Sequence, residues 1–81
     1  MGDRTKSEIT VTLTHDEALV LLDYLGRSDK AGHPLATHKA EDVALWALEC
    51  LLEKQLVEVF DPQYSALVER ARERLVEGHE K

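Results

Sequence analysis

Val43-Ala44-Leu45-Trp46-Ala47-Leu48-Glu49-Cys50-Leu51-Leu52 is the stretch on which the reading of this chain turns, because Glu49 is its only polar residue. Read as helix, it belongs to a long segment that Thr37 caps and that spans 37–56. At about 100° per residue, Asp42, Glu49 and Glu53 fall within about 40° of one another and form a narrow acidic stripe. The rest of the circumference is apolar and calls for protein cover. The expectation is therefore a central helix packed on several sides. Leu56–Phe60 is ambiguous: Val57 and Val59 alternate with Glu58 as in a short strand, yet the helix could also run on.

Toward the C-terminus, Asp61-Pro62 combines a favoured N-cap with a favoured first helical residue and opens a helix over 61–77. Its apolar face is Tyr64, Leu67, Val68, Ala71 and Leu75, and Gly78 follows its end. Toward the N-terminus, 27–36 reads as a loop. Before it lies a helix over 14–26, opened by the capping box Thr14-His15-Asp16-Glu17 and closed by Gly26. Ala18, Leu21, Leu22 and Leu25 recur at helical spacing, and Asp23 stands four residues before Arg27. Ser7–Leu13 alternates strictly, with Ile9, Val11 and Leu13 on one face, which predicts a β-strand over 7–13 after a tail at 1–6. A lone strand cannot satisfy its backbone. Its partner would be Leu56–Phe60 or the same strand of a second copy across a two-fold axis, unless 7–13 lies extended across the helices and bonds largely to water, and the second predicts a homodimer with Ile9, Val11 and Leu13 inward.

The fold class expected is thus mainly α, an N-terminal strand followed by three helices in one domain over 1–81. Length and composition agree, since 81 residues support one domain and four Gly with two Pro are few for an all-β chain. No apolar run approaches the roughly 20 residues of a membrane span, and Met1–Thr10 lacks a signal-like apolar stretch, so a cytoplasmic protein without membrane contact is expected. Cys50, the only cysteine, excludes an internal disulfide and reads as a small buried hydrophobe.

Catalytic and metal chemistry find little support. Of His15, His33, His38 and His79, His33 and His38 could approach one another but have no carboxylate or cysteine at ligand-like spacing, so no metal or other cofactor is expected, and all but His15 read as exposed. Glu49 and Glu53 stand one turn apart, as an acid/base pair would, but a solvated face explains them as well. The glycines at 2, 26, 32 and 78 form no phosphate loop. A net charge of −6, from 16 Asp+Glu against 10 Lys+Arg, disfavours nucleic acid, as does the mixing of Arg70, Arg72 and Arg74 with Glu69, Glu73 and Glu77. What is left is a recognition surface. Trp46 projects about 40° from the centre of the acidic stripe. Asp42, Trp46, Glu49 and Glu53 are accordingly the candidate partner-binding residues, with the 26–36 loop beside them and Trp46 alternatively in the core.

The segments Leu13–Leu22, Ala44–Glu49, Leu52–Glu58 and Phe60–Tyr64 resemble those of a group of small acidic helical bacterial proteins, a likeness that implies no activity. In size and charge alone the chain is also similar to immunity proteins that neutralise toxins, and no functional residue follows from that. The function expected is a non-enzymatic protein-binding module, in its most concrete form immunity- or antitoxin-like and directed at a basic toxin domain. The alternatives are a small dimeric DNA-binding regulator, and a small enzyme using Glu49 and Glu53.

Overall fold

A computed structural model describes residues 7–79 of the chain. Three helices carry the fold: α1 (His15–Lys30), α2 (Lys39–Gln55) and α3 (Tyr64–His79), with a 3-10 turn at Val57–Phe60 between the last two. The tail expected at 1–6 lies outside the described residues. Mainly α is the observed class, and the expected strand is not formed. Ser7–Leu13 has no regular secondary structure and pairs with nothing among the described residues, and Ile9 and Val11 are 91% and 70% exposed. The physical reason is the absence of an edge to pair with: Leu56–Phe60, the one intramolecular candidate, coils into the 3-10 turn. Pairing of Ile9, Val11 and Leu13 across a dimer therefore has no support in the fold.

Local signals set the helix starts. At α1, Thr14 N–H donates to Glu17 Oε1 at 2.8 Å and Glu17 N–H donates to Thr14 Oγ1 at 3.1 Å, completing the capping box. Before α3, Asp61 Oδ1 accepts from Gln63 N–H at 2.7 Å, so Asp61–Gln63 forms the lead-in turn and regular helix begins at Tyr64. At α2 the cap moves one residue on from Thr37. His38 Nδ1 accepts from Ala40 N–H at 2.9 Å, while Thr37 N–H donates to Glu41 Oε1 at 2.7 Å.

The end of α1 also differs from expectation. The helix passes through Gly26 and stops four residues later, where Gly32 and His33 adopt φ of 78° and 48°. Gly32 supplies the left-handed conformation that ends a helix, and His33 N–H closes the turn on Ser28 O at 2.8 Å. Pro34 then forbids continuation.

The core is Leu19, Leu22 and Leu25 of α1, Leu52 and Leu56 at the end of α2, and Val68 and Ala71 of α3. The central helix is consequently α1, which packs against both others, and α2 is not packed on several sides. The backbones of α2 and α3 make no close approach among the described residues. Ion pairs and a tyrosine hydrogen bond tie α1 to α3 along their length: Arg74 donates two 2.8 Å bonds to Asp16, and Asp23 accepts from Arg72 at 3.0 Å and from Tyr64 Oη–H at 3.2 Å. His15 Nε2 lies 2.7 Å from Glu58 Oε2, pinning the 3-10 turn to the start of α1.

Candidate functional site

The candidate site is α2, whose two faces are inverted relative to expectation. Leu45, Leu48 and Leu52 turn toward α1 and bring the acidic stripe with them to the edge of the contact, where Asp42 and Glu49 are half-buried. The opposite face, Ala40, Val43, Ala44, Ala47, Cys50, Leu51 and Lys54, is exposed throughout. Val43 and Leu51 are 52% and 60% exposed, and Cys50, expected to be buried, is exposed with them. The cover that the sequence demands for this apolar arc is not supplied by α1 or α3.

Trp46 sits at the rim between the two faces. Its indole N–H donates to Asp29 Oδ1 at 2.7 Å, and the Lys39 ammonium stands 4.7 Å from the ring centroid. Behind it lies His33, only 3% exposed although expected on the surface, with its ring 6.2 Å from the indole. Ser28 Oγ is 3.0 Å from His33 Nδ1, and Asp29 Oδ1 is 3.4 Å from Nε2. The loop is thus folded beneath Trp46, and its left-handed turn is what places His33 there. Asp42 keeps one enclosed carboxylate oxygen without a hydrogen-bond partner.

Glu49 and Glu53 open instead onto a cleft between α1, α2 and the 3-10 turn, about 230 Å³ in volume and lined also by Asp23, Arg27, Lys30, Val59 and Tyr64. Glu49 Oε2 approaches α1 at Gly26, 3.8 Å from where a Cβ would stand, an ordinary van der Waals distance that a methyl group at this position would also accept. Burial raises the Glu49 pKa above the ordinary carboxylate value, and the negative charges of Asp29 and Glu53 raise it further, against a smaller opposing effect of His33. Among the described residues neither Glu49 nor Glu53 makes an ion pair, and no group of three or more His, Cys, Asp and Glu is arranged to hold a metal ion.

Of the four partner-binding residues predicted from sequence, Asp42, Trp46, Glu49 and Glu53 do share one side of α2, but that side faces α1 and the loop. Glu53 and part of Trp46 are exposed, while Asp42 and Glu49 are half-buried. Sequence reasoning missed the opposite arc as a candidate surface. The signal is the spacing of Ala40, Val43, Ala47, Leu51 and their neighbours, an apolar arc that calls for protein cover without saying which chain supplies it. No helix among the described residues is long and apolar enough to cross a membrane.

The Glu49 shift has a testable sign. Because the folded state holds this proton more tightly than the unfolded chain, the contribution favours folding below the unfolded pKa and is lost as pH rises through the raised folded value. Glu49→Gln is therefore expected to raise the thermal midpoint at about pH 7 and to gain less, or nothing, at about pH 4. Melting curves of both proteins at the two pH values check it, and an equal or lower midpoint for the variant at neutral pH would contradict the assignment. Asp16 acts in the opposite sense, since the Arg74 hydrogen bonds lower its pKa and its contribution fades as pH falls through that lowered value.

No protein-family model, no curated protein and no solved structure matches this chain, so its functional reading rests on its own geometry.

Proposed function

We propose that this chain is a non-enzymatic protein-binding module whose binding element is α2, acting in the cytoplasm. One observation carries the reading: the arc from Ala40 to Leu51 is apolar and exposed on a helix whose inner face already makes its contact with α1. A contiguous apolar surface of this kind on a small acidic domain is characteristic of an interface rather than of a solvated helix. Trp46, fixed by Asp29 and Lys39, lies at its rim as a preorganised aromatic contact. The net charge of −6 adds long-range attraction for a basic partner, which supports an immunity- or antitoxin-like role in which the module covers a basic toxin domain.

The test is site-specific photo-crosslinking in cells, with the photoreactive residue in place of Leu51 or, as the comparison, Arg70 on the exposed side of α3. The expected result is a discrete protein adduct from position 51 and none from position 70. Absence of any adduct at 51, or equal capture from both positions, would move the binding surface away from α2.

A further inference from the structure

We propose that His33 is a proton-operated latch: when its buried ring carries a charge it bridges through Asp29 to Trp46 and locks the 31–38 loop against α1 and α2, and when the ring is neutral the lock slackens. The device is independent of what binds α2.

Three observations meet at this residue. His33 is 3% exposed and holds a left-handed φ of 48°, a conformation that a non-glycine residue keeps only when its surroundings impose it. The ring supplies part of that constraint. Its Nδ1 lies 3.0 Å from Ser28 Oγ, while Nε2 is enclosed without a hydrogen-bond partner, 3.4 Å from Asp29 Oδ1. The same Oδ1 accepts the Trp46 indole N–H at 2.7 Å, so one carboxylate oxygen stands between the loop and α2.

Only one protonation state satisfies both ring nitrogens. A neutral imidazole has one N–H and one bare nitrogen, a serine hydroxyl takes either role, and a carboxylate only accepts. With the proton on Nδ1, a bare Nε2 faces the lone pairs of Asp29. With it on Nε2, the neutral ring offers Asp29 an uncharged donor at 3.4 Å, beyond good hydrogen-bonding distance. The imidazolium donates at both positions, and its charge-assisted bond to the carboxylate favours closing the gap. Oδ1 has two lone pairs, so it serves His33 and Trp46 together.

The electrostatic surroundings mostly take the same side. Asp29 of α1 and Glu49 of α2 bring negative charge to the ring, and Glu41 in the first turn of α2 lines a cavity with it. His33 also follows the carbonyl end of α1, which favours a cation. Opposing the charge are burial of the ring and the Lys39 ammonium on the Trp46 indole. A buried charge is tolerated where it is paired and hydrogen-bonded, as both nitrogens are here once the gap closes. Histidine ordinarily changes charge between about pH 5 and 8, so mild acidification sets the latch.

Trp46 is the only tryptophan, and its indole N–H is therefore a single reporter. NMR of the full chain from about pH 8 to about pH 5 follows the His33 ring and the protection of this proton, corrected for the intrinsic pH dependence of exchange. Protection is expected to rise at least about threefold as the ring gains its proton, with one midpoint for both. Asp29→Asn, which keeps an acceptor for the indole but not the charge, should abolish the gain while His33 still titrates. His33→Asn, chosen because asparagine tolerates a left-handed φ, should remove the step at Trp46 with helix content unchanged by circular dichroism. Glu49→Gln should keep the step, which sets aside titration of that carboxylate.

A wild-type His33 that stays neutral in the folded protein down to about pH 5 overturns the proposal. So does indole protection that stays level while the ring titrates, a gain that survives in Asp29→Asn or His33→Asn, or a step that vanishes in Glu49→Gln. If His33→Asn fails to fold, the wild-type and Asp29→Asn titrations decide alone.

Discussion

Leu22→Ala is expected to remove about 2–5 kcal/mol from the unfolding free energy, the cost of deleting a buried leucine and leaving a partly unrelaxed cavity. Leu22 is 4% exposed and belongs to the cluster where α1 meets the end of α2 and the first half of α3. For 81 residues, a typical stability is roughly 4–12 kcal/mol at about 0.05–0.15 kcal/mol per residue, so one substitution takes a large fraction of the total. The core has only seven buried apolar residues and no second cluster to compensate among the described residues. Urea denaturation followed by circular dichroism measures the effect. Leu35→Ala is the control: Leu35 is 85% exposed, so its loss should change stability by no more than about 0.5 kcal/mol. Equal midpoints for the two variants would mean that α1 is not the centre of the fold.

Asp23→Ala is expected to cost about 1–3 kcal/mol, because one carboxylate serves three donors. Arg27 Nε and Arg72 donate at 3.0 Å each and the Tyr64 hydroxyl at 3.2 Å, joining the middle of α1 to the start and middle of α3. Removal strands a part-buried phenol and loosens two guanidinium groups that can partly rehydrate. Asp23→Asn, which keeps an acceptor for Tyr64 but loses the charge, should fall between, and a cycle with Arg72→Ala isolates the ion pair.

A spectroscopic signature accompanies the stability effect. Burial, together with the charge and hydrogen bond of Asp23, pushes the Tyr64 phenol up to about 12. The unfolded chain ionises this group near pH 10, so its contribution to stability is intact below that point and declines between about 10 and about 12. In Asp23→Ala the Tyr64 component of a tyrosinate absorbance titration should move down. A component that stays in place would show that Asp23 does not bear on the phenol.

The features legible in the sequence are those written within a few residues of one another. Thr14 and Glu17, three apart, form the box they spell, and Asp61 before Pro62 opens the lead-in to α3. The apolar spacing of Val68 and Ala71 also identifies the face α3 buries. The end of α1 was misjudged because Gly26 and Gly32 carry the same local signal, and only the turn that buries His33 decides between them.

The helix at the centre was harder still. The longest apolar run marks the most apolar helix, but hydropathy does not say whether its cover comes from the same chain. The pairs Asp29–Trp46, Asp23–Tyr64 and Asp16–Arg74 span 17, 41 and 58 residues, so no local spacing could reveal them. Without Asp29 the orientation of Trp46 was open, and with it the side of α2 that meets α1. The strand is inferred from alternation and from the β-branched Ile9, Thr10, Val11 and Thr12, signals that an unpaired segment satisfies equally well.

That α2 and α3 each lean on α1 and not on each other gives the molecule a hierarchy of opening. Opening of either outer helix leaves the other's contacts with α1 in place, whereas loss of α1 removes both sets. Amide protons of α1 around Leu19–Leu25 therefore exchange with solvent only through global unfolding, whereas those in the first turns of α2, where no residue is fully buried before Leu52, exchange through a cheaper local excursion. The same excursion would free Trp46 from Asp29 and uncover His33, making the α2 end of the loop the least protected ordered part of the fold.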